Sequence, residues 1–398
     1  MKKTKLKDIC NISAGGTPSR SNINYWNNGD IPWCKIGDFS GKYINQVKEN
    51  ITEEGLKNSS AKIFKRGTIL YTIFATVGEV AILETESATN QAIAGLEIIN
   101  NEVDLEYLYY YLKSLKFVML KKSRGVAQNN INLGILKNIE IKIPDKIEQI
   151  NIAKILDNIE KIIDKKKKQL KELNTIIKSQ FVEMFENNKF EKKNLGDVAI
   201  KITDGSHNPP KGVDERTEYV MLSSQNIIED KINYNNARYL SRKDFERENK
   251  RTYLEKGDVL LTIVGTIGRT AVIDKEKNIT LQRSVAVIKP IEKIKSEYLV
   301  ASLKTDSAIN QLNKRSKGVA QKGIYLNDLK KIFIPVPPIT PQNQFSKIVK
   351  QIDKQKFESM IQLDKENRIV LKNIIKDTLE ETNSIYEFLF KKYFEKGK

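Results

Sequence analysis

The stretch DKIEQINIAKILDNIEKIIDKKKKQLKELNTIIKSQFVEMFENNKFEKKN, from Asp145 to Asn194, contains no Gly and no Pro and follows directly on Pro144. Apolar residues recur in it at steps of three and four: Ile152, Ile155, Ile159, Ile162, then Leu170, Leu173, Ile177, Phe181 and Met184. That period marks one stripe of an α-helix, narrow enough for a coiled-coil seam. Between the apolar runs stand Lys165, Lys166, Lys167 and Lys168, which suit an exposed helix and not a globular core. About 40 helical residues make a rod of roughly 60 Å. Such a rod separates two things, and the rest of the chain shows what they are.

On either side of the rod the same pattern runs twice. Gly257-Asp258-Val259-Leu260-Leu261-Thr262 answers the segment that begins at Gly67, an offset of 190. Leu195-Gly196-Asp197 answers Leu6-Lys7-Asp8, Gln282 answers Gln91, and Tyr298-Leu299 answers Tyr107-Leu108. Gly318-Val319-Ala320-Gln321 repeats Gly125-Val126-Ala127-Gln128 at an offset of 193, and Leu329 to Pro337 answers Leu136 to Pro144 at the same offset. After Pro341 comes a second run free of Gly and Pro, Gln342 to Lys396, with Phe345, Ile348, Ile352, Leu371, Ile375 and Leu379 as its seam. A repeat this long means two complete domains, not a solenoid. Each unit is a mixed domain followed by a long helix, and two such helices can pair antiparallel with a domain at each end.

Within the first unit, Lys5 to Ile12 reads as a short amphipathic start and Ile31 to Ile36 as a strand. Pro32 places that strand at a sheet edge, because proline cannot donate to a ladder. Gly67 to Ile73 and Val80 to Leu83 are β-branched strands, Leu105 to Met119 is a helix, and Ile139 to Ile143 is a closing strand. The expected fold class is α+β: two mixed α/β domains, each followed by a long α-helix, with two-fold pseudo-symmetry. The expected boundaries are 1–144, 145–190, 191–337 and 338–398.

Composition narrows the function. The 398 residues carry a net charge of +18, which favours a polyanionic partner, nucleic acid before an acidic membrane. No apolar run reaches the roughly 20 residues of a membrane span, and no apolar segment follows the basic N-terminus, so a cytoplasmic location is expected. Cys10 and Cys34 alone make neither a disulfide framework nor a metal knuckle. His207 is the single histidine, so histidine-rich zinc sites are excluded.

The catalytic motifs are near misses. Gly37 to Tyr43 resembles a phosphate loop but has three residues between its glycines and no hydroxyl after Lys42. Asn208-Pro209-Pro210 resembles the amine-gripping loop of DNA amino-methyltransferases, yet Lys211 stands where an aromatic residue would stack on a flipped base. No glycine-rich cofactor loop follows a strand. What remains are polar loops. Thr17, Ser19, Arg20, Lys35 and Asp38 surround Trp26 and Trp33 in the first unit. Ser206, His207, Lys211, Gln225 and Asn226 occupy similar early positions in the second. The late loops bring Lys122, Arg124 and Gln128, then Arg315, Lys317 and Gln321. Lys and Arg beside glycine turns suit phosphate, and Asn, Gln and Arg can read base edges.

These residues resemble a known family, the specificity subunit of type I restriction-modification systems. The resemblance is carried by Gly15-Gly16-Thr17-Pro18-Ser19, Tyr25-Trp26, Ile31-Pro32-Trp33, Gly37-Asp38, Asp204-Gly205-Ser206-His207 and Gly318-Val319-Ala320-Gln321. The repeated Pro144 to Ile155 and Pro337 to Ile348, with Gln149 and Gln342, complete it. The resemblance implies two target-recognition domains, each reading one half of a split site in double-stranded DNA, and helices that pair as an antiparallel coiled coil. It implies a non-catalytic chain, without cofactor, that recruits two methyltransferase subunits and, through them, restriction subunits. S-adenosylmethionine, ATP and Mg are then expected in those partners. The second unit lacks the Gly-Gly-Thr-Pro and Ile-Pro-Trp signatures, so an asymmetric target is expected. The alternatives are a self-contained DNA methyltransferase or nuclease with an unfamiliar carboxylate site, and a coiled-coil scaffold, which the charge disfavours.

Overall fold

The computed structural model describes residues 2–116, 131–228, 230–274, 278–318 and 322–378, with the backbone alone from 360 onwards. The chain divides into two compact units. The first takes residues up to Asp164 and the end of the second long helix from Asp364; the second runs from Lys165 to Leu363.

The strands of the first unit are β1 Lys2–Lys5, β2 Cys10–Ala14, β3 Ile31–Cys34, β4 Tyr43–Ile44, β5 Glu49–Ile51 and β6 Ile63–Phe64, followed by β7 Ile69–Thr72, β8 Val80–Leu83, β9 Ser87–Thr89, β10 Ile93–Ile98 and β11 Glu140–Ile143. They form sheets in the orders β2-β10-β7-β8-β4, β5-β3-β9-β6 and β1-β11. The strands of the second unit are β12 Lys192–Asn194, β13 Ala199–Asp204, β14 Val220–Leu222, β15 Ile227–Ile228, β16 Lys231–Ile232 and β17 Arg238–Tyr239. After them come β18 Val259–Thr262, β19 Thr270–Val272, β20 Ile279–Leu281, β21 Val285–Pro290 and β22 Phe333–Pro335. The orders here are β13-β21-β18-β19, β17-β14-β20, β12-β22 and β15-β16.

The repeat in sequence is thus a repeat in topology. β7 and β18 are buried at every residue, so their sequences, Ile-Leu-Tyr-Thr and Val-Leu-Leu-Thr, run apolar instead of alternating. In each unit the strand before the long helix closes antiparallel onto the strand that opens the unit, β11 on β1 and β22 on β12.

One buried glutamine joins helix to domain in each unit. Gln149 accepts from the Asp104 backbone N–H at 2.8 Å and donates to the carbonyls of Glu102 at 2.8 Å and Pro144 at 2.9 Å. Gln342 repeats this: it accepts from Lys295 at 2.9 Å and donates to Lys293 at 3.0 Å and Pro337 at 2.9 Å. Neither side chain is solvent-exposed, so the amide is needed to satisfy backbone groups that water cannot reach.

Several expectations change. The first long helix is Lys146–Phe181, continued by a wide π turn at Val182–Glu186, and Lys192–Asn194 is strand. The buried stripe in the first half of that helix is Ile152, Leu156, Ile159 and Ile163; Ile162 is 40% exposed. The second long helix, Ile339–Thr378, starts before Pro341. Proline is tolerated there because the N–H groups of the first turn have no carbonyl partner within the helix. The amphipathic start at Lys5 to Ile12 spans the end of β1, a single helical turn Leu6–Ile9 and the first residues of β2. β3 is an interior strand. The Pro32 carbonyl accepts from Ser87 Oγ at 3.1 Å, so its nitrogen also faces β9, whose pairing starts one residue later at Trp33↔Ala88. The partner of Gln282 is Asn90: both backbone N–H groups bond the end of an equivalent strand, at Leu222 and Cys34. Leu105–Ser114 is helical; the rest of the expected helix, to Met119, extends beyond the described residues.

Candidate nucleic-acid interface

In the first unit the glycine loop after β2 lies against β9. A Cβ at Gly15 would stand 2.1 Å from Thr89 Oγ1 and 2.2 Å from its carbonyl oxygen, so only glycine fits. The Gly16 N–H then bonds the Thr89 carbonyl at 2.8 Å. Two tryptophans pin the loop: Trp33 Nε1 donates to the Gly16 carbonyl at 3.0 Å and Trp26 Nε1 to the Ser19 carbonyl at 3.1 Å. Their rings meet edge-to-face at 5.1 Å.

Arg20 lies over this pair, its guanidinium carbon 3.5 Å from the Trp26 centroid and 5.0 Å from that of Trp33. It forms an ion pair with Glu49 at 2.6 Å, and Lys35 binds the other carboxylate oxygen. The hydrogen bond from Lys35, opposed by burial and reinforced by Arg20, holds the Glu49 carboxyl below its usual range. Thr17 donates to Gln91, and the hydroxyls of Ser19 and Ser21 are 2.8 Å apart. Four of the five early candidates of this unit therefore sit on one loop system. Asp38 does not join them, because it is buried and accepts from the Lys35 backbone N–H at 2.9 Å.

The second unit builds the same loop from different residues. A Cβ at Gly205 would lie 1.9 Å from the Leu281 carbonyl oxygen, and the Ser206 N–H bonds that carbonyl at 2.7 Å, as Gly16 does on Thr89. Ser206 is buried, so its contribution is this backbone bond. His207 Nε2 meets Asp204 Oδ2 at 2.9 Å, with the imidazole about half exposed. Arg251 binds the other Asp204 carboxylate oxygen and donates through Nε to the Asp204 carbonyl at 2.8 Å. Asn226 is the counterpart of Asp38. It is buried, accepts from the Ser223 N–H at 2.8 Å and donates to the Asn233 carbonyl at 2.9 Å. Both residues tie a 3₁₀ turn together and are withdrawn from direct contact with a ligand. Gln225 and Lys211 are exposed.

The later candidates divide. Lys122, Arg124, Gln128 and Gln321 lie outside the described residues. Arg315 is not on a loop: with Lys314 it ends the helix Asp306–Arg315, where positive side chains complement the helix dipole. Lys317 is exposed, and its ammonium stands 6.0 Å over the ring of Tyr325, itself 68% exposed. Sequence reasoning missed Glu49 and Arg251, which reach the loops from distant strands and helices. Their signal was present only as a lone acid and one cation in a run of charges.

Among the described residues no cluster of His, Cys, Asp and Glu could hold a metal ion, and no helix is long and apolar enough to cross a membrane.

The family model described as type I restriction modification DNA specificity domain matches residues 1–175 and again residues 187–368. The chain belongs to this family: it is a specificity subunit, the non-catalytic component that determines DNA target recognition, and it carries no cofactor. It is 27% identical to the MjaIX specificity subunit of Methanocaldococcus jannaschii, over 94% of this chain and 90% of that protein. It is 24% identical to the EcoBI specificity subunit of Escherichia coli, over 88% of this chain and 78% of that one. A chain solved in a study of complex assembly and conformational transition of the type I system superposes with a TM-score of 0.54 at 15% identity, covering 97% of each chain. That likeness bears on the fold.

Proposed function

We propose that residues 1–144 and 191–337 are two target-recognition domains, each reading one half of a bipartite, asymmetric site in double-stranded DNA. The helical segments 145–190 and 338–398 pair as an antiparallel coiled coil whose length sets the gap between the half-sites. The observation that carries this reading is the duplicated glycine loop. Two of its backbone bonds recur, from Gly15 and Gly16 to Ile93 and Thr89 and from Gly205 and Ser206 to Val285 and Leu281, while its polar side chains differ. Equal frames with unequal side chains are what two different half-sites require. The composition of the two units supports the pairing, because each combines the start of one long helix with part of the other.

On this reading basic side chains such as Lys211, Arg315 and Lys317 neutralise phosphates, while Thr17, Ser19, Arg20, His207 and Gln225 are placed to meet bases. The chain assembles in the cytoplasm with two methyltransferase subunits, and restriction subunits join through them. A chimera carrying the first domain of another family member in place of residues 1–144 tests the scheme. Methylome sequencing should show one half-site replaced and the other retained; a change in both halves would contradict modular reading.

A further inference from the structure

We propose that each domain reads a guanine through an arginine clamped by a carboxylate beside the glycine loop: Arg20 in the first unit and Arg251 in the second. The inference rests on the half-site reading above and adds the residue and the base.

The two arginines come from different parts of their units. Arg20 follows the loop itself, whereas Arg251 ends the helix Arg242–Thr252. Yet each lies beside the glycine loop of its unit. Arg20 covers Trp33, whose indole holds the Gly16 carbonyl. Arg251 holds both the side chain and the carbonyl of Asp204, the residue before Gly205.

In each case the guanidinium is fixed in orientation. Trp26 fixes the plane of Arg20 and Glu49 holds one end of it. Asp204 takes the Nε and one terminal nitrogen of Arg251. About half of each side chain remains exposed, 54% for Arg20 and 49% for Arg251, and several N–H donors of each are left over. The neighbouring carboxylate also selects the ligand. A negative charge in contact with the arginine repels a phosphate, but it leaves the N–H fork directed at a neutral acceptor. The O6 and N7 of guanine in the major groove form such an acceptor pair, matched to the fork in spacing.

The test uses the full chain assembled with its methyltransferase subunits, acting on duplex libraries varied at every position of both half-sites. Arg20→Lys and Arg20→Ala should each abolish a guanine preference of about tenfold or more at one position of one half-site. The other half-site should be read as before. Arg251→Lys and Arg251→Ala should do the same in the opposite half. Lysine keeps the charge without the fork, so retention of the preference in a lysine variant overturns the proposal. Equal weakening on every sequence also overturns it, since that marks a phosphate contact. Glu49→Gln, which keeps the arginine but removes the carboxylate that holds it, should lower the discrimination without that uniform loss. The chimera separates the two levels. If it moves one half-site while the arginine variants act uniformly, only this inference fails; if it moves both, the half-site reading fails first.

Discussion

The two long helices start on their domains with the same glutamine but differ in what else holds them. In the first unit the helix brings Asp157 and Glu160 against Leu105–Ser114. Tyr110 donates to Asp157 at 2.5 Å and to Glu160 at 3.2 Å, Lys42 binds Asp157 at 2.5 Å, and Lys113 binds Glu160. Lys113 also donates to the Tyr109 hydroxyl at 3.0 Å. Burial first, then the Glu160 charge, holds the Tyr110 phenol far above its usual range, so it remains a donor.

In the second unit the helix also makes an ion pair, Lys350 to Glu297 at 3.0 Å, but it packs besides through a cluster of rings. Phe345 meets Phe181 and Phe185, each at 5.5 Å, and Tyr298 stacks on Phe181 at 5.6 Å and meets Phe185 at 4.8 Å. Phe345 occupies the place of Ile152, and Lys350 that of Asp157, at the 193-residue offset. The ring cluster is stabilised by burial whatever its neighbours do. The charge network holds only while every member is paired, because an isolated buried charge is expensive. The backbone plan therefore tolerates either solution, provided that the glutamine joint is kept.

Three sets of substitutions test this contrast, in falling order of effect. Phe345→Ala should destabilise the second unit by about 3–5 kcal/mol, as expected for a buried phenylalanine, measured by denaturant unfolding. A loss below about 1 kcal/mol would mean that the cluster does not hold the joint. Lys113→Met should cost about 2–4 kcal/mol by leaving Glu160 without its cation, and adding Glu160→Leu should recover most of the loss. Failure of the double variant to recover would show that the network contributes more than mutual neutralisation. Gln149→Ala and Gln342→Ala should each cost about 1–3 kcal/mol, because each leaves buried backbone groups unpaired. Clearly unequal costs would break the equivalence of the two joints.

Much of the architecture was legible in the sequence because the duplication states it twice. The first rod announced itself through Pro144 and an unbroken helical period. Its buried face was misjudged by one position at Ile155 and Ile162, since two adjacent isoleucines at 162 and 163 both satisfy steps of three and four. Pro32 misled because a proline is harmless inside a sheet wherever its nitrogen faces the unpaired end of a neighbour. The Arg20 cluster could be read because Trp26, Trp33 and Lys35 lie close along the chain. The Asp204–Arg251 contact could not, as its partners are 47 residues apart and nothing local marks the pair. Asp38 and Asn226 looked like polar readers because a buried carboxylate or amide that ties a turn has the same sequence as an exposed one.

The stretch from Asp145 is central to the account as a spacer of defined length, and shortening it is the most direct test. One heptad removed from each long helix keeps the buried faces nearly in register and shortens the rod by about 10 Å, roughly three base pairs of B-form DNA. Methylome sequencing of cells that carry this variant with its methyltransferase should return both original half-sites with a gap shorter by about that amount. The original gap, with both half-sites intact, would contradict the claim that the helices measure the target.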